Sequence, residues 1–152
     1  MSKRESITGG CLCGAVRYAA TAAPSDVSYC HCRMCQQHFG NPVGVYASFP
    51  DHQVRFTKGT PKNYRSSEFG QRGFCADCGT PLTYTYVRRP EQISVSVGSL
   101  DHPERFPPSV HWGIEGQVPW LHIDDGLPRR HTDDDPEMAV YGPGTGAMTD
   151  CG

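Results

Sequence analysis

Short stretches in which apolar and polar residues alternate dominate the chain, and they predict strands more often than helices. The clearest case is Ile93, Val95 and Val97, which alternate with polar neighbours and predict a half-buried strand. Residues 83–87, Thr-Tyr-Thr-Tyr-Val, are rich in β-branched and aromatic side chains. Two further strands are predicted where apolar side chains share a face, at Val16 and Tyr18 and at Val43, Val45, Ala47 and Phe49.

Turn signals divide these strands into short pieces. Residues 63–66 and 71–74 are expected to pair around Gly70 as a hairpin, and residues 103–108 to form an extended loop. One early helix is predicted, from about Arg33 to Phe39, because Asn-Pro follows at residues 41–42. The sequence therefore predicts an all-β fold, mainly β with one or two short helices.

Composition narrows the class of protein. The length of 152 residues favours one domain, predicted over residues 1–130, and 17 Gly and 13 Pro agree with many turns. Residues 131–152 are rich in acids, Pro and Gly and are expected to form a flexible C-terminal tail. A net charge of −2 argues against a nucleic-acid partner. No apolar run is long enough for a membrane span, and no apolar leader follows the first residues, so a cytoplasmic protein is expected.

Eight cysteines carry most of the chemical information. In a reducing compartment a disulfide framework is disfavoured, and the spacing favours metal. Two pairs are separated by one residue and two by two residues, and the two-residue gap lets both thiolates reach one tetrahedral zinc. The cysteines are Cys11, Cys13, Cys30, Cys32, Cys35, Cys75, Cys78 and Cys151.

Glycine placement suggests how these sulfurs are shared. Gly14 follows Cys13 and Gly79 follows Cys78, as in turns that need a positive φ after a ligand. A closed four-thiolate structural site is therefore predicted from Cys11, Cys13, Cys75 and Cys78. By elimination, Cys30, Cys32 and Cys35 form a second site, whose fourth position is either vacant, as in catalytic zinc sites, or closed by another side chain. Candidates to close it are His31, His38, His111, His122 and Cys151, the last of which we interpret as a free thiol.

Five segments together resemble one known family. They are Gly-Gly-Cys-Leu-Cys-Gly-Ala-Val-Arg-Tyr at 9–18, His-Cys-Arg-Met-Cys-Gln-Gln at 31–37, Gly-Phe-Cys-Ala-Asp-Cys-Gly-Thr-Pro-Leu at 73–82, Val-Gly-Ser-Leu-Asp at 97–101 and the segment from Trp120 to Pro128. This pattern, over residues 6–130, resembles the glutathione-dependent formaldehyde-activating enzyme (GFA) family, which also contains centromere protein V. The resemblance implies an Mss4-like folded sheet with two zinc ions, one structural at Cys11, Cys13, Cys75 and Cys78 and one catalytic at Cys30, Cys32 and Cys35.

The resemblance also implies an activity. The family condenses formaldehyde with glutathione to S-(hydroxymethyl)glutathione, and the reverse reaction is that of a carbon–sulfur lyase. The expected partners are therefore a small thiol such as glutathione and a small aldehyde. Zinc bound by three thiolates is a weak Lewis acid, suited to binding the substrate sulfur as a thiolate. The alternative is an Mss4-like protein-binding module with two structural zinc ions and no catalysis.

Residues that could assist this chemistry are less sharply indicated. His31 lies between two predicted ligands, and His38 follows the third at a distance where an imidazole could move a proton. A carboxylate of the substrate could be bound by Arg65, Arg72 or Arg88. Trp112 and Trp120 are either pocket walls or core residues, and Asp124 and Asp125 are interpreted as turn residues because Gly126 and Pro128 follow.

Overall fold

In a computed structural model of the chain, residues 5–141 are described, and they are mostly β-structure with two short helices. This confirms the predicted all-β class. The strands are β1 Ile7–Gly10, β2 Arg17–Ala20, β3 Asp26–Cys30, β4 Gly44–Pro50, β5 Val54–Lys58, β6 Lys62–Arg65, β7 Gly70–Phe74, β8 Pro81–Tyr86, β9 Gln92–Ser96, β10 Val110–Trp112 and β11 Arg129–Arg130; the helices are α1 Arg33–Phe39 and α2 Pro136–Ala139.

The chain divides into two units, each built from separate pieces of the sequence. Unit 1 takes residues up to Asp26 together with Ala47–Pro107, and unit 2 takes Val27–Tyr46 together with the residues from Pro108 onward. The chain passes from one unit to the other three times, and the second crossing, between Tyr46 and Ala47, falls inside β4. The single domain predicted over residues 1–130 stays a prediction.

A small antiparallel sheet of order β1-β2-β5 opens unit 1. Tyr18 of β2 is fully buried, and its hydroxyl lies 2.6 Å from the Ser99 hydroxyl. Gly9, opposite Tyr18 in β1, is required by this packing, because a Cβ there would lie 2.4 Å from the Tyr18 oxygen. The buried Val16 and Tyr18 agree with the face predicted for this strand.

The rest of unit 1 is an antiparallel series of order β9-β8-β7-β6. The predicted hairpin is confirmed as β6 and β7, with Tyr64 opposite Arg72. The strand predicted around Ile93, Val95 and Val97 is β9, in which Ile93 and Val95 are buried with Leu82 of β8. Val97 is also buried, but it begins the 3-10 turn Val97–Ser99 that follows the strand. These apolar side chains are part of the core of unit 1.

Unit 2 contains a parallel arrangement that positions the second cysteine cluster. Its strand order is β11-β10-β3, with the first half of β4 beyond β3. β10 pairs in parallel with β3 on one side and with β11 on the other. Helix α1 follows β3 directly and has the predicted bounds, although it ends at Gly40 in a left-handed conformation rather than at the later Asn-Pro.

Some local predictions differ from the structure. Val43 lies outside β4, and Tyr46 is buried in addition to the predicted Ala47 and Phe49. The loop predicted to be extended contains a 3-10 turn at Pro103–Arg105, because proline at the first turn position is compatible with helical φ.

The segment predicted to be a tail begins with regular structure. A 3-10 turn, Thr132–Asp134, precedes α2, and the Thr132 amide donates to the Glu115 carboxylate at 3.1 Å. Flexibility of residues 131–152 stays a prediction. Within residues 5–141, no helix is long and apolar enough to cross a bilayer.

Candidate metal centres

The first candidate centre brings together the two glycine-marked cysteine pairs of unit 1. Cys11 and Cys13 lie in the turn after β1, and Cys75 and Cys78 lie in the turn after β7. All four sulfurs lie within 4.8 Å of one another, with Cys11 to Cys13 at 3.6 Å and Cys13 to Cys75 at 3.8 Å. Gly14 and Gly79 both have φ near +80°, as the sequence predicted for these turns.

Hydrogen-bond donors point directly at the sulfurs of this four-sulfur cluster. The Val16 amide donates to Cys11 Sγ at 3.2 Å, and the Thr80 hydroxyl lies 3.2 Å from Cys78 Sγ. The side-chain and backbone hydrogen bonds from Thr80 lower the pKa of Cys78 to about 5. Such bonds stabilise the thiolate form, which is the form that binds metal.

The second candidate centre is a three-sulfur cluster in unit 2. Cys30 ends β3, Cys32 is the N-cap of α1, and Cys35 lies in the first turn of that helix. The Cys35 amide donates to Cys32 Sγ at 3.4 Å, and the sulfurs of Cys30 and Cys32 are 3.4 Å apart. Cys32 and Cys35 are buried, whereas Cys30 is half-buried. The start of one helix thus gathers three thiols within six residues.

Both clusters fit a tetrahedral metal ion. Ligand sulfurs 2.3 Å from zinc are about 3.8 Å apart in a tetrahedron, close to the sulfur separations in both clusters. The sulfurs of Cys32 and Cys35, together with burial, raise the pKa of Cys30 well above its usual value. Although its contact with Cys30 lowers the pKa of Cys32, the Cys35 sulfur and burial raise it to about 12. Three thiolates this close need a cation, and soft sulfur ligands suit zinc.

Among residues 5–141, no fourth His, Cys, Asp or Glu ligand atom joins the three-sulfur cluster within 4.8 Å. Four of the candidates named above to close the site, His31, His38, His111 and His122, therefore do not complete it. The fifth, Cys151, lies outside the described residues. Within the described part of the chain, the two clusters differ by one ligand.

His31 belongs to a buried chain of polar side chains instead. Its Nε2 lies 2.8 Å from His111 Nδ1, and His111 Nε2 lies 2.9 Å from the Asp125 carboxylate. Both imidazoles are completely buried, and the ring of Tyr29 stacks on His111 with centroids 4.5 Å apart. Because the carboxylate accepts from His111 Nε2, His111 Nδ1 is the acceptor and His31 Nε2 the donor.

This arrangement keeps His31 neutral and directs it away from the sulfurs. Burial, followed by the nearby His111 and Arg129, lowers the pKa of His31 to about 4. Its Nδ1 is buried without a hydrogen-bond partner among residues 5–141. Successive residues of a strand point to opposite faces, so His31 lies on the face opposite Cys30 and Cys32.

A glutamine clamps the loop that carries the three sulfurs. Gln36, which is buried in α1, donates through Nε2 to the His31 carbonyl at 2.8 Å and to the Gly116 carbonyl at 2.8 Å. On the other side Gly113 has φ +67°, and a Cβ there would lie 2.9 Å from the Cys32 nitrogen. Neither residue is indicated by the sequence, because each acts through a contact between distant segments.

The other predicted site residues make contacts of their own. Arg65 and Arg72 belong to unit 1; Arg65 donates to the carbonyls of Ser67 and Glu68, and Arg72 is buried against Ser66 and the Tyr84 ring. Arg88 is exposed and also belongs to unit 1. His38 lies in the last turn of α1 beside Phe39, Trp112 is half-buried at the end of β10, and Trp120 is 70% exposed.

The two aspartates differ from each other. Asp124 is exposed, whereas Asp125 is held in place on two sides. Asp125 accepts from the Leu127 amide at 3.1 Å, as expected of a turn residue, and also from His111. The interpretation of Asp125 as a turn residue is therefore incomplete, since its carboxylate also anchors the buried histidines.

Comparisons with known proteins agree with the geometry. A protein of Schizosaccharomyces pombe described as an uncharacterized lyase is 33% identical over 79 residues, which is 52% of this chain and 57% of the yeast protein. A protein of Halomonas elongata described as a putative glutathione-dependent formaldehyde-activating enzyme is 25% identical over 127 residues, 78% of this chain and 81% of that protein. A Rhodobacter sphaeroides crystal structure has a similar fold, with a TM-score of 0.53 at 19% identity, covering 82% of this chain and 99% of that one.

The chain thus spans little more than half of the yeast relative and most of the Halomonas one. The family model described as glutathione-dependent formaldehyde-activating enzyme matches residues 6–115, which include all seven clustered cysteines. The matched segment therefore contains both sulfur clusters. The chain belongs to the glutathione-dependent formaldehyde-activating enzyme family.

Proposed function

We propose that this protein is a zinc-dependent enzyme of the carbon–sulfur lyase type, which makes or cleaves the adduct of a small thiol and a small aldehyde. Glutathione and formaldehyde are the first pair to test, because the family and the Halomonas relative are described by them. The observation that carries the proposal is the three-sulfur cluster, to which residues 5–141 supply no fourth ligand. A structural zinc site has four protein ligands, whereas a catalytic site has three and an open position.

The two clusters have separate roles in this proposal. Zinc held by Cys11, Cys13, Cys75 and Cys78 is structural. Cys30, Cys32 and Cys35 would hold the second zinc ion, and that ion would supply the positive charge that lowers the pKa of a substrate thiol. The half-buried Cys30 marks the accessible side of the cluster, since Cys32 and Cys35 are buried.

The protein residues around the cluster hold it in shape. Gln36 fixes the backbone at His31, and the His111–Asp125 pair fixes the His31 side chain on the opposite face. We assign His31 a positioning role in this proposal, and we retain His38 as a candidate for moving a proton at the hydroxyl that forms.

The reaction itself is redox-neutral. The thiol sulfur forms a bond to the aldehyde carbon, the carbonyl π bond breaks, and the thiol proton ends on the oxygen as the new hydroxyl. The reverse reaction breaks the carbon–sulfur bond and returns the proton to sulfur. Free rather than disulfide-bonded cysteines in the described residues fit the cytoplasm, which is part of the proposal.

Exchange of ¹³C-formaldehyde into the adduct with glutathione, followed by NMR, tests this function against the uncatalysed rate. We expect the zinc-loaded protein to accelerate the exchange. Cys32→Ser should lower this acceleration by about 100-fold or more, because even the loss of a residue that only supports a metal ligand costs roughly 10–100-fold. The variant should retain its circular dichroism and one zinc per chain. If the protein binds two zinc ions but accelerates the exchange with neither glutathione nor other small thiols, the proposal is contradicted and the protein-binding module is favoured.

A further inference from the structure

Three side chains form a row across unit 2 that begins at the three-sulfur cluster. Cys30 of β3 pairs with Trp112 of β10, and Trp112 pairs with Arg130 of β11. Paired positions on neighbouring strands direct their side chains to the same face of a sheet. A candidate metal ligand, an indole and a guanidinium therefore lie side by side on one face.

The neighbouring row faces the other way. Tyr29, His111 and Arg129 occupy the preceding positions of the same three strands. Their face holds the stacked Tyr29 and His111 rings and the buried His31. Arg129 hydrogen-bonds the side-chain oxygen of Gln117. The two consecutive arginines of β11 thus point to opposite faces, and only Arg130 shares a face with Cys30.

Arg130 is placed to interact with a ligand. Its guanidinium lies over the Trp112 ring, with Cζ 5.8 Å from the ring centroid, and the residue is exposed. Among residues 5–141 it forms no ion pair with an acidic side chain. A guanidinium stacked on an indole is oriented by the stacking while its N–H groups remain able to bind a carboxylate in a bidentate manner.

The spacing suits a short peptide-like thiol. Neighbouring strands are about 4.8 Å apart, so the Cα atoms of Cys30 and Arg130 are about 10 Å apart. A carboxylate one residue from a cysteinyl sulfur lies roughly 5–8 Å from it, on a backbone that extends about 3.5 Å per residue. A thiol bound at the cluster can therefore place such a carboxylate at the Arg130 guanidinium, across Trp112.

We propose that Arg130, stacked on Trp112, binds a carboxylate of the thiol substrate and so selects carboxylate-bearing thiols over thiols that have no carboxylate. The inference rests on the proposed function and adds to it the residue that determines specificity. It replaces Arg65, Arg72 and Arg88, the arginines that the sequence suggested. Arg65 and Arg72 already hold protein groups, whereas Arg130 shares the strand row of Cys30.

The test compares Arg130→Ala with Arg129→Ala, the matched removal of a charge from the opposite face. KM and kcat are measured with glutathione, with glutathione whose carboxylates are both esterified, and with cysteamine. For Arg130→Ala we expect KM for glutathione to rise about 10-fold or more, as for the loss of a charge-assisted hydrogen-bonded pair, with kcat within twofold. The esterified thiol and cysteamine should be unaffected, and Arg129→Ala should change no KM more than twofold.

Thiol binding is measured separately from turnover. Protein loaded with Co²⁺ is titrated with each thiol, and the sulfur-to-cobalt charge-transfer absorption reports the binding. Weaker glutathione binding in Arg130→Ala with unchanged cysteamine binding supports the inference even if the wild type has no aldehyde turnover, which would contradict the proposed function alone. Equal losses for all three thiols, or unchanged glutathione binding in Arg130→Ala, overturn the inference and leave the proposed function standing if the wild type turns over. A wild type that binds no thiol overturns both.

Discussion

Both sulfur clusters hold thiolates close together, but they differ in how far apart their cysteines lie in the sequence. The four-sulfur cluster joins turns more than 60 residues apart, with Cys13 and Cys75 separated by 62 positions. The three-sulfur cluster is local, from Cys30 to Cys35. A metal that closes a long loop contributes its binding free energy to the fold, whereas a local cluster at the start of a helix contributes less. Sequence separation therefore agrees with the proposal that the four-sulfur cluster is structural and the three-sulfur cluster catalytic.

The burial of the cysteines does not follow the proposed roles, because a structural site would be expected to be the more buried of the two. Cys13 of the four-sulfur cluster is exposed, whereas Cys32 and Cys35 of the three-sulfur cluster are buried. The polar contacts also differ. Donors at Val16 and Thr80 point at sulfurs in the first cluster, while Gln36 holds a backbone carbonyl in the second. In the proposed function, this support of the backbone leaves the half-buried Cys30 side of the second cluster to the substrate.

The largest expected effect follows from this contrast. Cys75→Ser should unfold the protein, because a structural zinc site contributes about 10–16 kcal/mol of apparent binding free energy and a domain is stable by only about 5–15 kcal/mol. Cys32→Ser should instead retain the fold and lower its melting temperature by only a few degrees. Circular dichroism melting curves and zinc content per chain measure both variants. Equal loss of structure in the two would show that both clusters are structural.

Local sequence signals are sufficient to predict much of this molecule. The alternation at Ile93 and Val95 predicts β9, and the helix from Arg33 to Phe39 follows from the turn residues after it. The glycines after Cys13 and Cys78 predict which pairs meet, because a positive φ is a local requirement visible in the sequence. Each of these predictions depends on neighbouring residues only.

What the sequence does not predict depends on contacts between distant segments. His111 and Asp125 lie 80 and 94 positions after His31, and no spacing rule connects them. The parallel pairing that places Arg130 in the row of Cys30 depends on the register of a two-residue strand. The need for glycine at position 113 arises only when Cys32 is packed against it. The next two predictions test such contacts.

Gly113→Ala should lower the free energy of unfolding by about 3 kcal/mol, combining left-handed strain with a clash against the Cys32 backbone. Gly126→Ala is the matched control in the same unit, because its φ of +66° is the same and a Cβ there meets nothing within 4 Å. It should lose about 1 kcal/mol. Chemical denaturation measures both. The two variants should also differ in how fast a chelator removes one of the two zinc ions, and equal behaviour would show that Gly113 does not shape the cluster.

Gln36→Met should have the smallest effect and the most selective one. Methionine keeps the length of the side chain but leaves the carbonyls of His31 and Gly116 without their donor, at a cost of about 1–3 kcal/mol. These two hydrogen bonds support only the segment that carries the three-sulfur cluster. Zinc loss to a chelator should therefore become biphasic, with the ion of this cluster released several-fold faster and the other ion unchanged. Gln37→Met, at the exposed neighbouring position of α1, should leave both phases as in the wild type. Uniform acceleration of both phases would mean that the glutamine stabilises the whole fold, and that the two clusters do not hold their metals independently.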